Sequence, residues 1–157
     1  PEAGFGAVAE DGSTVILDRA ARWVTEDTAE RVIEEQREEI ERREAVLRKG
    51  RPLPEIEGRT VILVDDGIAM GSTMRAAVKL CRKKGASRVI VAVPVAGSKV
   101  SEVFAGDDGL VDALVVLEQP EQFRAVAQVY QRWYDVPDSE VVALMDAWRE
   151  ETGEASR

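Results

Sequence analysis

The strongest restriction on the fold comes from the run Thr60–Val64, which holds only β-branched and apolar residues. Such a run is typical of a strand that is buried on both faces of a parallel sheet. Runs of the same kind occupy residues 88–94 and 113–117, and helical patterns fill residues 72–84 and 100–105 between them. Two successive strand–helix–strand units predict an α/β fold, in which helices flank a mainly parallel sheet with right-handed crossovers.

Further elements are predicted on either side of this core. Residues 6–10 and 14–17 have the pattern of an N-terminal β-hairpin, and the Asp-Gly pair between them favours a type I′ turn. Towards the C-terminus, helical patterns cover residues 123–133 and 138–149.

A long, highly charged helix is predicted between the hairpin and the core. Thr25 is a suitable N-cap residue, and the helical pattern runs to about Lys49. Acidic residues precede basic ones by four positions, as in Glu39 and Arg43, and only a thin apolar stripe remains. This pattern favours a helix exposed to solvent. The alternative is an arm through which residues 25–49 build a homo-oligomer.

The composition excludes several classes of function. The chain has no histidine, which removes serine–histidine catalysis and histidine-ligated zinc or haem, and its one cysteine, Cys81, excludes an internal disulfide. A formal charge of -9 argues against binding to nucleic acid or to an anionic membrane surface. No apolar stretch reaches the roughly 18 residues of a membrane span. Without an export signal at its start, the chain is expected in the cytoplasm.

Two neighbouring carboxylates stand where α/β sheets bind their ligands. Asp65 and Asp66 directly follow the predicted strand, and ligands of open α/β sheets bind at the carboxyl ends of the strands. The loop 67–71 contains two glycines, and Ser72 and Thr73 begin the next helix. Unpaired amides at a helix start, beside hydroxyls and glycine backbone, form a cradle for phosphate. Carboxylates beside such a cradle suit a sugar phosphate, because they can accept hydrogen bonds from its hydroxyls.

Other nucleotide-binding loops do not fit this segment. A Walker A loop needs a lysine directly after its last glycine, and Ser72 occupies that position. The Rossmann glycine pattern is absent as well, since Gly67 and Gly71 are four residues apart. In the alternative interpretation, this segment binds no ligand and is a simple turn between strand and helix, with Ser72 as the N-cap. The Asp-Asp-Gly triplet taken alone would favour this turn.

Residues 61–74 resemble the motif that binds phosphoribosyl diphosphate (PRPP) in type I phosphoribosyltransferases. The similarity extends to residues 1–10, 58–59, 91–96 and 138–141, which resemble phosphoribosyltransferases of unassigned substrate. The resemblance implies a phosphoribosyltransferase-like fold over most of the chain.

The resemblance also implies roles for individual residues. Asp65 and Asp66 would bind the ribose hydroxyls of PRPP, directly or through Mg²⁺ as the cofactor. Backbone amides and hydroxyls of the following residues would wrap the 5′-phosphate: Ala69, Met70, Gly71, Ser72 and Thr73.

Two departures from the family pattern bear on the substrate. Met70 replaces the usual threonine, which removes one hydroxyl from the phosphate cradle. Ala69 stands where enzymes for 6-oxopurines carry an aspartate, which argues against hypoxanthine or guanine as the acceptor. The pyrophosphate-binding loop of the family would precede Pro1. We therefore expect residues 1–157 to be one domain that is incomplete at its N-terminus, with weakened PRPP affinity and slight or no turnover by itself.

The predicted function is transfer of the phosphoribosyl group from PRPP to an unknown acceptor in nucleotide metabolism, with release of pyrophosphate. One alternative is a regulatory module that binds PRPP without turnover. Another is a structural domain that binds no ligand and uses the long helix to oligomerise.

A few other side chains could serve the same site. Arg75 lies one helical turn beyond the loop and could reach a phosphate. Phe123, Tyr130, Trp133 and Tyr134 could form a lid that stacks on a base, although their spacing favours packing or a subunit contact.

Overall fold

A computed structural model of the chain describes residues 6–16, 25–105 and 110–153. In chain order its elements are β1 (Gly6–Val8), β2 (Thr14–Ile16), α1 (Glu26–Leu47), β3 (Thr60–Val64), α2 (Ser72–Lys83), β4 (Arg88–Val95), α3 (Ser98–Ala105), β5 (Ala113–Glu118) and α4 (Asp138–Thr152). Strands β3, β4 and β5 form a parallel sheet in that order, and β1 and β2 form an antiparallel hairpin. The predicted α/β fold, with helices flanking a mainly parallel sheet after an N-terminal hairpin, is confirmed.

The hydrophobic core lies on one face of the sheet. Alternate residues of the central strand β4 point to this face, and Val89 and Val91 are fully buried there. Helices α2 and α3 cover them with apolar side chains that include Val78 and Phe104. The same helices follow β3 and β4 in the chain, so the loops that lead into them begin at the carboxyl ends of these strands.

The opposite face of the sheet is open in the part of the chain that the structure describes. The side chains of Ile62, Val64, Val115 and Leu117 are 60%, 74%, 49% and 82% exposed. The prediction that Thr60–Val64 is buried on both faces is therefore wrong for this structure. The strand runs are apolar enough for a two-sided core, but the described helices pack on one side.

The hairpin forms where predicted, with a different turn. The N–H of Ala9 donates to the carbonyl of Ser13 at 2.8 Å, so three residues form the loop. Gly12 has a φ of 79°, whereas Asp11 does not enter the left-handed region that a type I′ turn requires at both central positions. The loop is therefore the three-residue kind in which glycine takes the left-handed position. Leu17 lies outside the described residues.

Helix α1 begins and ends close to its predicted limits. The hydroxyl of Thr25 accepts a hydrogen bond from the N–H of Thr28, which confirms it as the N-cap. The helix ends at Leu47, and Lys49 and Gly50 then turn the chain with φ values of 55° and 72°.

Helix α1 has no fully buried residue, and charged contacts hold it in place. Arg48 lies between Glu10 of the hairpin and Glu44 of the same helix, at 2.9 and 2.8 Å. Arg42 bonds to Asp138 at the start of α4, 2.8 Å away. The helix is exposed in the single chain, as both the solvent-exposed helix and the arm predict. A homo-oligomer through residues 25–49 stays a prediction. Among the described helices, none is long and apolar enough to cross a bilayer.

The segment between β5 and α4 differs most from its prediction. A helix over residues 123–133 is wrong, because this segment contains only a 3₁₀ turn at Val126–Val129. Helix α4 is confirmed and continues three residues beyond the predicted end, to Thr152. Ala125 and Tyr130, on either side of the 3₁₀ turn, have extended backbone, and Tyr130 contacts the loop after β3.

Candidate functional site

The loop after β3 is held at the carboxyl edge of the sheet. Asp65 and Asp66 follow the last residue of the strand, as predicted. The N–H of Ile68 then donates to the carbonyl of Val95 at 2.9 Å, and Ile68 forms a parallel bridge with Ala96. Because Ile68 is buried in the core, it anchors the middle of the loop while the residues on either side stay near the surface.

Two glycines allow the loop to pack this tightly. A Cβ atom on Gly67 would lie 2.7 Å from a Val95 methyl carbon and 2.8 Å from one of Val126. Gly71 has a φ of 79° and serves as the N-cap of α2, where a Cβ atom would lie 2.9 Å from the Phe104 ring. The structure thus corrects the alternative in which Ser72 is the N-cap. Helix α2 starts at Ser72 with its first amides free of intrahelical acceptors.

All seven residues predicted for the site line one cavity of about 320 Å³. They are Asp65, Asp66, Ala69, Met70, Gly71, Ser72 and Thr73. The two carboxylates are at one end of the loop and the start of α2 is at the other. The cavity therefore brings hydrogen-bond acceptors and an amide-rich anion cradle together, which is the juxtaposition that a sugar phosphate requires.

The surroundings of Asp65 in this cavity change the pKa of its carboxyl group. Partial burial raises the pKa of its carboxyl group, and the neighbouring charge of Asp66 raises it further. The N–H of Asp66 donates to Asp65 Oδ1 at 3.0 Å, which opposes this rise by stabilising the carboxylate. A ligand that offers hydroxyl hydrogen bonds or a cation would stabilise the ionised form of such a carboxyl group.

The described residues contain no group of three or more acidic or thiol side chains that could hold a metal ion. Mg²⁺ commonly binds to one or two protein carboxylates and takes substrate oxygens and water as its other ligands. Two adjacent carboxylates are enough for this kind of site. Asp65 and Asp66 are therefore suited to a metal that arrives with a phosphorylated substrate.

Two aromatic side chains lie beside the carboxylates, and one of them bonds to the loop after β3. The sequence did not predict this bond. The hydroxyl of Tyr130 donates to the backbone carbonyl of Asp66 at 2.7 Å. Its ring meets Trp133 edge to face, with ring centroids 5.2 Å apart, and Trp133 lines the cavity. Partial burial raises the pKa of Tyr130, with smaller contributions from the two aspartates. The aromatic spacing alone indicated a lid or packing, and the link to Asp66 depends on the tertiary fold.

Arg75 and Phe123 do not line this cavity. The Arg75 guanidinium carbon lies 5.8 Å from the centroid of the Phe104 ring, behind the loop. Both Arg75 and Phe123 line a neighbouring cavity of about 680 Å³. The prediction that Arg75 could reach the phosphate cradle is thus not supported by its position.

Comparison with known proteins identifies the family of this chain. The sequence model of the family described as Phosphoribosyl transferase domain matches residues 13–109. The chain belongs to this family. A Mycobacterium tuberculosis protein named "Putative phosphoribosyl transferase" in strains CDC 1551 and H37Rv is 38% identical over 157 residues, which are 99% of this chain and 35% of that protein. The chain therefore spans about a third of the length of these curated relatives.

Two further relatives share parts of the chain. The "Ribose-phosphate pyrophosphokinase" of Mycobacterium leprae is 52% identical over 42 residues, which are 27% of this chain and 13% of that protein. The crystal structure of TT1426 from Thermus thermophilus has a TM-score of 0.69 at 35% identity and covers 92% of this chain and 67% of that one. The phosphoribosyltransferase-like fold predicted from the resemblance is confirmed.

Proposed function

We propose that the protein binds PRPP with Mg²⁺ and transfers its phosphoribosyl group to a nucleophilic acceptor, with release of pyrophosphate. The observation that carries this proposal is the single cavity in which two carboxylates face an amide-rich helix start. Family membership supports the reaction class, and the geometry supports the binding of a phosphorylated ribose.

Each end of the cavity has its own part in binding. Asp65 and Asp66 accept hydrogen bonds from the ribose hydroxyls. The backbone amides of residues 69–73 and the hydroxyls of Ser72 and Thr73 donate to the 5′-phosphate. Met70 supplies its backbone N–H in place of a hydroxyl, and its side chain is 42% exposed. Hydrogen bonds to charged groups contribute about 1.5–3 kcal/mol each, so the remaining donors hold the phosphate without a threonine.

Catalysis in this site rests on positioning and electrostatics. The bond between the ribose C1 carbon and the diphosphate oxygen breaks, pyrophosphate leaves with the electron pair, and the acceptor's lone pair forms the new bond to C1. Mg²⁺, held by Asp65 and Asp66 with substrate oxygens, would supply charge neutralisation for the leaving diphosphate. The same two carboxylates stabilise positive charge that develops on the ribose.

A PRPP-binding regulatory module is the second candidate. The observation that favours it is the charge of the cavity, because no lysine or arginine lines it in the part of the chain that the structure describes. A diphosphate leaving group needs cationic partners. On this alternative, PRPP binds to the same residues and no acceptor yields pyrophosphate.

A calorimetric titration with PRPP and Mg²⁺ tests the proposed site. We expect saturable binding by the protein and its loss in the double variant Asp65→Asn, Asp66→Asn, because the ribose hydroxyls lose both charged acceptors. The double variant Glu55→Gln, Glu102→Gln removes the same two charges from exposed positions and should bind like the parent protein. Equal binding by both double variants would contradict the proposed site. If binding is lost only in the Asp65→Asn, Asp66→Asn variant, a pyrophosphate-release assay separates the enzyme from the regulatory module.

A further inference from the structure

Three residues of the loop after β3 leave the pairing of the sheet. Strand β3 pairs with β4 as far as Val64, which lies opposite Ala92. The pairing resumes at Ile68, opposite Ala96, in the same register. Residues 65–67 therefore depart from the sheet and return to it without a shift, and contacts other than this pairing must hold their backbone.

This departure from the strand is what allows both carboxylates to line one cavity. In an extended strand, successive side chains lie on opposite faces, so two neighbouring aspartates would diverge. Asp65 and Asp66 nevertheless line the same cavity. Burial raises the pKa of the Asp65 carboxyl group and the charge of Asp66 raises it further, so the like charges oppose this arrangement. The shared orientation therefore depends on contacts that hold the backbone between the two side chains.

The segment between β5 and α4 supplies such contacts. The Tyr130 hydroxyl donates to the Asp66 carbonyl, with 2.7 Å between the two oxygens, although the residues are 64 positions apart in the chain. Val126 lies against Gly67, where a Cβ atom would be 2.8 Å from a Val126 methyl carbon. Trp133 lines the cavity and meets the Tyr130 ring edge to face. One distant segment thus contacts two consecutive residues of the unpaired stretch.

The bond from Tyr130 completes a pair of bonds that fix the Asp66 backbone. The carbonyl of Asp66 accepts from Tyr130, and its N–H donates to Asp65 Oδ1 at 3.0 Å. These two groups belong to the peptide planes on either side of the Asp66 Cα atom, so the bonds restrict its φ and ψ. They therefore also restrict the direction of its side chain. Without the Tyr130 hydroxyl, the plane that holds the carbonyl loses this restraint.

We propose that Tyr130 is a positioning residue for the ribose hydroxyls of PRPP. Its hydroxyl group holds the Asp66 backbone so that both carboxylates accept hydrogen bonds from neighbouring hydroxyls of one ribose. Tyr130 acts through Asp66, since it is not among the residues that line the cavity. The inference rests on the proposed function, because it concerns the ligand that Asp65 and Asp66 bind there.

The test compares ligands with and without ribose hydroxyls. Ribose 5-phosphate and tetrahydrofurfuryl phosphate share a five-membered ring and a phosphate group, but the second has no hydroxyl on its ring. Tyr130→Phe keeps the aromatic ring beside Trp133 and removes only the hydroxyl group. We expect this variant to bind PRPP with Mg²⁺ and ribose 5-phosphate about three- to tenfold more weakly, and tetrahydrofurfuryl phosphate unchanged. Titrations followed by NMR chemical shifts measure the three affinities.

Tyr134→Phe is the matched control. The Tyr134 hydroxyl also donates to an oxygen acceptor, Glu140 Oε1 at 3.0 Å, and the residue does not line the cavity. This variant should bind all three ligands like the parent protein. A merely structural role for Tyr130 would instead weaken all three ligands by the same factor, because the phosphate end of the loop would loosen as well.

A loss confined to the ligands with ribose hydroxyls supports the inference. An equal loss for all three ligands, or full PRPP and ribose 5-phosphate binding by Tyr130→Phe, would overturn it. The parent protein shows which proposal has failed. If the parent protein and Tyr130→Phe bind PRPP equally, the proposed function stands and this inference falls. If the parent protein binds no PRPP, the proposed function fails and the role assigned to Tyr130 fails with it.

Discussion

At the scale of single residues, the loop after β3 depends on positions that tolerate no side chain. Gly71 and Gly12 have the same φ of 79°, but their surroundings differ. A Cβ atom on Gly71 would lie 2.9 Å from the Phe104 ring, and one on Gly12 would meet nothing within 4 Å. Alanine substitutions at these two glycines therefore distinguish the free-energy cost of backbone strain from that of steric crowding.

We expect Gly12→Ala to lower the free energy of unfolding by about 1–2 kcal/mol, through left-handed backbone strain alone. Gly71→Ala should lower it by about 1–3 kcal/mol more, because the phosphate loop must also move away from Phe104. Urea denaturation of both variants measures the difference. Equal losses would mean that Phe104 yields without cost and that the loop is less tightly packed than its geometry indicates.

The carboxyl group of Asp65 leads to a prediction for pH dependence. Burial raises its pKa above the ordinary value of 3.8, so the folded chain binds more protons than the unfolded chain between the two values. This residue therefore lowers stability as pH rises through that range. We expect Asp65→Asn to be more stable than the parent protein above this range and equally stable below it. Thermal melts from pH 3 to pH 7 test this, and a constant difference at all pH values would contradict it.

At the scale of elements, ion pairs attach α1 to the rest of the chain in place of a buried apolar face. Arg48 directly follows α1, has 18% of its side chain accessible and forms ion pairs with the carboxylates of both Glu10 and Glu44. Burial raises the pKa of Glu44, and the charge of Glu10 raises it further. The hairpin and the helix thus share one cation.

Alanine substitutions of Arg48 and Arg31 compare the stability contributed by a partly buried ion pair with that of an exposed one. We expect Arg48→Ala to cost about 1–3 kcal/mol of unfolding free energy, because two carboxylates then face each other without a counter-charge. Arg31→Ala breaks the exposed pair with Glu35 and should cost less than about 1 kcal/mol. Chemical denaturation of the two variants decides, and similar losses would show that Arg48 is solvated like Arg31.

At the scale of the whole molecule, the sheet has one covered face and one face that the described residues leave open. Val91 lies on the covered face and is fully buried, whereas Val64 lies on the open face and is 74% exposed. Parallel sheets are commonly covered on both sides, so the open face exposes an unusual amount of apolar surface.

The same substitution at these two valines tests the open face. In the 157-residue chain, Val64→Thr should change the free energy of unfolding by no more than about 0.5 kcal/mol and should reduce the binding of a hydrophobic dye. Val91→Thr should cost about 1–3 kcal/mol, because it buries a hydroxyl in the core. A loss at Val64 as large as that at Val91 would show that this face is covered in solution.

The strands could be predicted from the chain, and so could the grouping of seven loop residues at one place, because both depend on local patterns. That these residues bind a ribose phosphate stays a prediction. A continuous apolar run specifies a strand, and the residues that directly follow it in a parallel sheet lie at the carboxyl edge. Family resemblance assigned those residues their roles, and their positions along one loop brought them into one cavity.

Long-range contacts decided the remaining features. The segment 123–133 has a helical pattern, yet it contains only the 3₁₀ turn Val126–Val129. Two long-range contacts tie it to the loop after β3: the hydroxyl of Tyr130 donates to the Asp66 carbonyl, and Val126 lies close to Gly67. The neighbouring cavity of about 680 Å³ brings Arg75 and Lys99 together, and no local pattern indicates that two helices and a hairpin strand meet there. Hydrophobic periodicity states which side chains avoid water, but the partner that covers each face is known only once the elements have packed.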